Sequence, residues 1–304
     1  MNFQQLRSVR ETVRRGFNLT EVANALFTSQ PGVSRQIREL EEELGVDIFE
    51  RNGKRLTGLT QPGKAVLPII ERLLLEAANL QEAGNDYAGL KSGTLSVATT
   101  HTQARYVLPQ IVQTFRQSFP DVRVALQQSA PEHIAEWVLS GKADIGIATE
   151  GLAQFDGLAS FPCYEWHHAI VVPENHPLLS EKKLTLESLA KWPLITYDQG
   201  FTGRSHIDDA FSQQNLQTDI VLTAMDSDVI QQYVALGMGV GIVASMAIGP
   251  NSNQNLKAIA ADHLFAPNTT RVAVRRGAYL RAYTLEFILQ LAPKLKRAEI
   301  LAAV

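Results

Sequence analysis

Three stretches rich in hydroxyl and amide side chains stand beside short runs of apolar, β-forming residues. Thr99-Thr100-His101-Thr102-Gln103 follows Leu95–Ala98, Thr149-Glu150 follows Ile145–Ala148, and Gly200-Phe201-Thr202-Gly203-Arg204-Ser205 lies between a strand-like run and a helical one. Uncharged donors gathered where strands end and helices begin suit an oxyanion held by hydrogen bonds and helix dipoles, with no dominant cation. Any one stretch alone could do no more than cap its helix. Their recurrence at three strand ends favours a site. A second group is cationic: Arg35 and Arg38 beside Gln30, Pro31 and Ser34, and then Arg51, Lys54 and Arg55 around an Asn-Gly turn. Arginine, glutamine and serine at the start of one helix are the residue types that meet base edges and phosphates.

Other chemistry finds little support. Cys163, the one cysteine, could serve as a nucleophile beside His167 or His168, but a lone cysteine after Phe161-Pro162 reads as packed and inert. The seven histidines show no metal-ligand spacing of the HExxH kind. Neither catalysis, a metal nor a cofactor is expected.

The cationic group needs elements to position it. Leu6, Val9, Val13 and Phe17 recur at helical spacing, Asn18 and Thr20 offer caps for a helix from Thr20 to Leu26, and Ser29 with Pro31 opens a third helix from Val33 to Leu44 that Gly45 ends. Two short helices, a tight turn and a longer helix predict a helix-turn-helix. On the third helix Val33, Ile37, Leu40 and Leu44 form the buried stripe. The opposite face offers Arg35 for guanine, Gln30 for adenine or phosphate, Pro31 for a thymine methyl, and Ser34 for phosphate, with Arg38 beside them. The bland alternative pairs Arg35 and Arg38 with Glu39 and Glu42. Ile48 to Thr57 reads as strand, turn, strand, a wing whose Arg51, Lys54 and Arg55 reach backbone or minor groove.

After Pro62-Gly63, the positions Val66, Ile70, Leu73, Ala77, Leu80, Gly84 and Tyr87 step by four and three, a heptad seam that predicts dimerisation. From Gly93 short strand-like runs alternate with helical ones, which predicts α/β subdomains around mostly parallel sheets. The 304 residues, 45% of them hydrophobic, allow two or three cores. The net charge of −3 averages +2 over residues 1–64, from ten Lys/Arg and eight Asp/Glu, and −5 over the rest. The longest apolar run, 237–250, is broken by four glycines and is too short to span a bilayer. The first residues lack a signal-peptide pattern, so a cytoplasmic protein without membrane contact is expected. That expectation weighs against a periplasmic solute receptor, the rival reading of the C-terminal two-thirds.

Thr28-Ser29-Gln30-Pro31-Gly32-Val33-Ser34-Arg35-Gln36-Ile37, Leu40-Glu41, Leu44-Gly45, Phe49-Glu50-Arg51 and Leu59-Thr60-Gln61-Pro62-Gly63 resemble, in order and spacing, the N-terminal module of the LysR-type transcriptional regulators. Ala98 to Tyr106, Cys163-Tyr164 with Trp166, Gly200 to Ser205, Asp228-Val229-Ile230 and Gly237 to Ser245 look like the sensor domain of the CysB/Cbl subfamily. The resemblance implies a winged helix-turn-helix (1–60), a linker and dimerisation helix (61–90) and an effector-binding domain (91–304) with a periplasmic-binding-protein-like fold. Its two α/β subdomains would be about 92–163 with 266–304, and about 164–265. It further implies a homodimer or homotetramer on double-stranded DNA with a dyad-symmetric operator, contact with RNA polymerase if the protein is an activator, and control of cysteine synthesis or of sulfonate and other alternative sulfur use. The effector would be sulfate, an acetylserine or adenosine phosphosulfate, held by Thr100, Thr102, Gln103, Thr149 and Thr202 with Trp166 at the cleft. A regulator of another pathway with an unrelated effector is the alternative.

Overall fold

In a computed structural model the chain forms two compact units, residues 1–88 and 89–304, with residues 1–53, 55–89, 92–201, 203–249 and 255–304 described. The first unit runs α1 (Phe3–Arg14), α2 (Leu19–Ala25), α3 (Gln30–Leu44), the hairpin β1 (Phe49–Asn52) and β2 (Arg55–Leu59), and α4 (Gln61–Tyr87). Side chains set the starts of its helices. Asn2 and Gln5 form a reciprocal capping box that starts α1 three residues before Leu6, the first residue of the apolar period. Asn18 caps α2, Ser29 accepts from the Gly32 N–H to open α3, and Gly45, at φ 68°, closes α3 in a left-handed turn that suits a residue without Cβ. Val9, Val22, Val33, Ile37, Leu40, Ile48 and Phe49 are fully buried in one core with Ile70 and Leu74 of α4, which ties the hairpin and the root of α4 to the three helices. Phe17, outside α1, meets Phe49 edge-to-face at 6.1 Å.

The second unit holds two five-stranded sheets. The first, ordered β4-β3-β5-β12-β6, takes β3 (Gly93–Thr99), β4 (Val122–Gln128), β5 (Ile145–Ala148) and β6 (Leu158–Trp166), and regains β12 (Asn268–Arg275) from far along the chain. Helices α5 (His101–Tyr106), α6 (Leu108–Ser118) and α7 (Pro131–Leu139) connect its strands, while α11 (Ala282–Leu291) and α12 (Arg297–Ala303) follow β12. The second sheet, ordered β11-β7-β10-β8-β9, comprises β7 (His168–Pro173), β8 (Leu194–Tyr197), β9 (Ile220–Ala224), β10 (Val240–Ala244) and β11 (Leu256–Ala260), with α8 (Leu186–Leu189), α9 (Arg204–Gln213) and α10 (Ser227–Ala235). The chain passes from the first sheet to the second between Trp166 and His168, and returns between Ala260 and Asn268.

Each sheet is half parallel and half antiparallel, where mostly parallel sheets were expected. β3 runs parallel to β4 and β5, and β8 parallel to β9 and β10, whereas β12 opposes β5 and β6, and β7 opposes β10 and β11. The antiparallel members are those at the two crossings. Four strands, β6, β9, β11 and β12, were not foreseen in the sequence. Of the six that composition does show, β5, β7, β8 and β10 are almost wholly buried apolar runs such as Val240–Ala244, whereas β4 is mostly half-buried or exposed.

Candidate functional site

The start of α3 presents a polar, exposed face. Gln30, Pro31, Arg35 and Arg38 are exposed and Ser34 is half-buried, while Val33, Ile37 and Leu40 on the other side are sealed in the core. Arg35 pairs with Glu39, Nε to Oε1 at 2.6 Å, whereas Arg38 donates to the Ser34 carbonyl at 3.3 Å and not to Glu42. In the turn before the helix Phe27 is 96% exposed and sits at φ 50°, a left-handed conformation uncommon for an aromatic residue.

In the hairpin Arg55 is exposed, and Lys54 lies outside the described residues. Arg51 is anchored. Its guanidinium pairs with Glu41, a buried carboxylate that also accepts from the backbone N–H groups of Ile48 (2.8 Å) and Phe49 (3.1 Å). The Glu41 charge is thus buried and compensated, and Arg51 positions the wing on α3 and is not a free cation. Thr60 caps α4 through the Gly63 N–H at 2.9 Å, and a Cβ on Gly63 would lie 2.0 Å from the Ile48 carbonyl oxygen. Gly63 thus lets α4 begin directly against the hairpin.

In the second unit the hydroxyl-rich stretches stand at strand ends. Thr99 pairs with Ile147 in the parallel register, so Thr100 and Thr149 emerge side by side from β3 and β5. Neither acts as a cap: α5, which begins after Thr100, and the 3₁₀ turn Glu150–Gln154, which begins after Thr149, have no side-chain cap hydrogen bond. Helix α9 likewise starts uncapped after Gly203, at φ 67°. The capping explanation of these stretches therefore fails at each of the three described starts. Thr149, Gly200, Phe201, Gly203 and Ser205 line a cavity of about 270 Å³. Arg204 lines it too, but its Nε pairs with Asp208 at 2.8 Å and its Nη1 donates to the Tyr197 carbonyl. Thr202 lies outside the described residues.

Thr100, Thr102 and Gln103 are buried and do not line that cavity. The Oγ1 atoms of Thr99 and Thr102 are buried without a hydrogen-bond partner among the described residues. Gln103 is committed on both ends of its amide: Nε2 donates to Thr270 Oγ1 at 3.1 Å, and Oε1 accepts from the Tyr164 hydroxyl. Burial pushes that phenol well above its ordinary range, so it remains a donor. Trp166 Nε1 donates to the same Thr270 Oγ1 at 3.1 Å. The indole N–H of Trp166 is thereby spent on holding Thr270. Tyr164 belongs to the Cys163-Tyr164 pair quoted above but has no role among the sequence-based expectations, and Thr270 and Asn268 are absent from them; the β-branched residues of Thr269-Thr270-Arg271-Val272-Ala273-Val274 are the signal of a strand there. Asn268 Oδ1 would lie 1.7 Å from a Cβ on Gly203, so the loop and the returning strand meet here without space for a side chain.

Cys163 is buried. Desolvation pushes its thiol up to about 12, which leaves no thiolate at neutral pH.

The family model described as "Bacterial regulatory helix-turn-helix protein, lysR family" matches residues 3–64, and "LysR substrate binding domain" matches 88–296. The chain belongs to the LysR family of transcriptional regulators. This LysR-type regulator is 58% identical over 300 residues to the HTH-type transcriptional regulator SsuR of Burkholderia cenocepacia, covering 99% of this chain and 97% of that one. It is 54% identical to the HTH-type transcriptional regulator cbl of Escherichia coli K12 over 288 residues (95% and 91%), and 51% identical to the HTH-type transcriptional regulator CysB of B. cenocepacia over 297 residues (98% and 95%). Among solved structures, the cofactor-binding domain of the Cbl transcriptional regulator covers 69% of this chain and 92% of its own, at 49% identity and a TM-score of 0.68. Full-length OxyR of Pseudomonas aeruginosa (97% and 99%, TM-score 0.70, 19% identity) shares the fold of the LysR-type regulator. The expected membership of the CysB/Cbl-like subfamily and the expected fold class are thus borne out. Among the described residues, no helix is long and apolar enough to cross a membrane.

Proposed function

We propose that this LysR-type regulator is a cytoplasmic protein that senses a small oxyanion reporting sulfur status and controls genes for cysteine synthesis or for the use of sulfonates and other sulfur sources. The observation that carries the reading is the Thr102 hydroxyl, buried and without a hydrogen-bond partner among the described residues, at the start of α5, which has no side-chain cap. A buried hydroxyl without a partner costs free energy in the empty protein, and an anion that accepts a hydrogen bond from it removes that cost. With Arg204 already neutralised, hydrogen bonds and helix starts are what remain to hold a ligand, which suits sulfate, an acetylserine or adenosine phosphosulfate. Thr100, Thr102, Thr149 and Thr202 make the contacts in this reading. Gln103 and Trp166 hold Thr270 and so shape the floor.

On the DNA side Gln30, Pro31, Ser34, Arg35 and Arg38 read one half-site, Arg55 and Lys54 lie along the backbone, and Arg51 orients the hairpin. A homodimer or homotetramer joined through α4 sets two half-sites about a dyad, and an activator would also meet RNA polymerase.

Calorimetric titration with sulfate, thiosulfate, N-acetylserine and adenosine phosphosulfate tests the sensor. Thr102→Ala should weaken the effective ligand by about tenfold or more, the equivalent of ~1.5–3 kcal/mol for a hydrogen bond to a charged group, while operator affinity without effector stays put. Equal affinity in both proteins would remove Thr102 from the site. Arg35→Ala should cost about 1–3 kcal/mol on a specific operator and much less on random DNA.

A further inference from the structure

Helix α5 buries Thr102 and Gln103 in its own subdomain, while His101, Arg105 and Tyr106 reach a single carboxylate on the opposite subdomain. Arg105 Nε lies 2.6 Å from Asp228 Oδ2, Tyr106 donates its hydroxyl to Asp228 Oδ1 at 2.7 Å, and His101 Nε2 stands 3.4 Å from Oδ2. Asp228 is in the first turn of α10, and α10 is firmly seated in its own subdomain. Asp226 caps it through the Val229 N–H at 2.9 Å, and Ser227 bonds at 2.5 Å to the hydroxyl of the wholly buried Tyr197, which also accepts from the Ala244 N–H at 2.8 Å. Helix α5 is seated just as firmly in the other subdomain, through the bonds of Gln103 with Thr270 and Tyr164.

We propose that Asp228, gripped by Arg105, Tyr106 and His101, is a latch that holds the two subdomains together across the effector cleft and ties their closure to the filling of the effector site at Thr102. The coupling rests on the effector reading above; the latch itself does not. Helix α5 also touches the second subdomain where Gln103 Nε2 meets Met246 Sδ at 4.0 Å, but among the described residues its charged contact with α10 runs through Asp228, so separating these two helices means breaking those bonds. Movement of α5 also moves Thr102 and Gln103, so a ligand that fixes those two residues favours the arrangement in which His101, Arg105 and Tyr106 reach Asp228. A shared cation does not account for the cluster. His101, Asp226 and Asp228 lie close enough to offer three ligand atoms, but Asp226 is occupied as a cap and Asp228 already faces the Arg105 guanidinium. Burial and the neighbouring carboxylate push the Tyr106 phenol up to about 12, so it donates throughout the physiological range.

Amide hydrogen exchange on the full-length, ligand-free protein tests the latch. Asp228→Asn should raise exchange in residues 101–107 by about threefold to tenfold, the scale of a partly exposed ion pair with one added hydrogen bond. Arg105→Ala should do the same in residues 227–230, the double variant should exceed neither single by much, and Asp228→Glu should restore protection. The readout across the cleft matters, because a merely local role of Asp228 in α10 would leave α5 unchanged. Unaltered exchange in α5 overturns the latch, whatever any ligand does. Sulfate and N-acetylserine titrations on the same proteins test the coupling: fewer latched molecules should lower apparent affinity by a similar factor. Raised exchange with unaltered affinity overturns the coupling. If the wild type takes up neither ligand, the effector reading for these two probes fails, while exchange still decides the latch.

Discussion

Arg35, the guanine reader of the proposed interface, is held by Glu39 in the free protein through an exposed i,i+4 pair. A pair of that kind contributes about 0–1 kcal/mol, less than the ~1–3 kcal/mol of a good bidentate contact with guanine, so DNA should take the guanidinium from Glu39. The Glu39 carboxyl, held below its ordinary range first by its bond from Arg35 and then by that from Gln5, then faces the phosphates uncompensated. Glu39→Gln should accordingly tighten binding to operator and random DNA alike at low salt, by about threefold to tenfold for one repulsive charge removed, with the two proteins converging as salt rises. Fluorescence anisotropy at two salt concentrations reads this directly; identical curves at low salt would place Glu39 away from the backbone. Cys163 makes the opposite kind of prediction, of silence. With its thiol pushed up to about 12 by burial, it should resist a disulfide reagent at pH 8 in the native protein and react at once in denaturant, and Cys163→Ser should leave operator and effector binding intact. Rapid native labelling would mean that the segment around β6 opens far more often than its packing suggests.

The junction of hairpin and α4 depends on one missing atom. A methyl group on Gly63 would press within 2.0 Å of the Ile48 carbonyl oxygen, which already accepts the Thr60 N–H at 3.0 Å. Gly63→Ala must shift α4 or break the Thr60 cap, so we expect a loss of about 2–4 kcal/mol in the first unit, the scale of overpacking plus a lost cap, read by chemical denaturation followed through the helical signal. A loss below ~0.5 kcal/mol would mean that the contact relaxes freely. Elements of this kind were legible where a cap or turn residue stands beside an apolar period, as with Ser29, Gly45 and the Asn-Gly turn. The start of α1 was missed because Asn2 and Gln5 act as a reciprocal pair, visible only once both are seen to bond. Strand β6 was missed for a physical reason as well. Pro162 interrupts it, and a proline argues against a strand unless the strand is an edge; β6 is an edge, and its register slips beside Pro162, between Thr270 and Arg271 of β12. Strand β12 pairs with residues more than a hundred positions away, a partnership that local periodicity cannot express. For the same reason the loops at residues 99–103, 149 and 200–205 could be read as one site from their composition, whereas Thr270, which ties Gln103 to Trp166, could not.

At the scale of the assembly the proposed dimer turns on α4. The heptad read along it divides in two: Ile70 is buried in the core of the first unit with Val66 packed against that core, while Leu73, Leu80 and Tyr87, seven residues apart, are 41%, 77% and 91% exposed. A helix that leaves Leu80 and Tyr87 in water gains from a partner helix laid along the same stripe, at roughly 25 cal/mol per Å² of apolar surface covered, and the small residues Ala77 and Gly84 between them let that helix approach. The half of the seam used internally explains why the root of α4 belongs to the DNA-binding unit, and the exposed half is the surface through which the proposed dimer would join. Leu80→Glu should therefore split the oligomer without unfolding either unit, since Leu80 packs on little within its own chain. Sedimentation should show the lower-order species over the micromolar range, and the variant should lose far more affinity for an operator with two half-sites than for an isolated half-site, because the second contact is no longer supplied at the high effective concentration that tethering provides. Thermal unfolding followed at low protein concentration separates this from misfolding: the transition of the first unit should stay where it is. An unchanged oligomer in Leu80→Glu would show that subunits associate through another surface and that the exposed stripe of α4 serves a different contact.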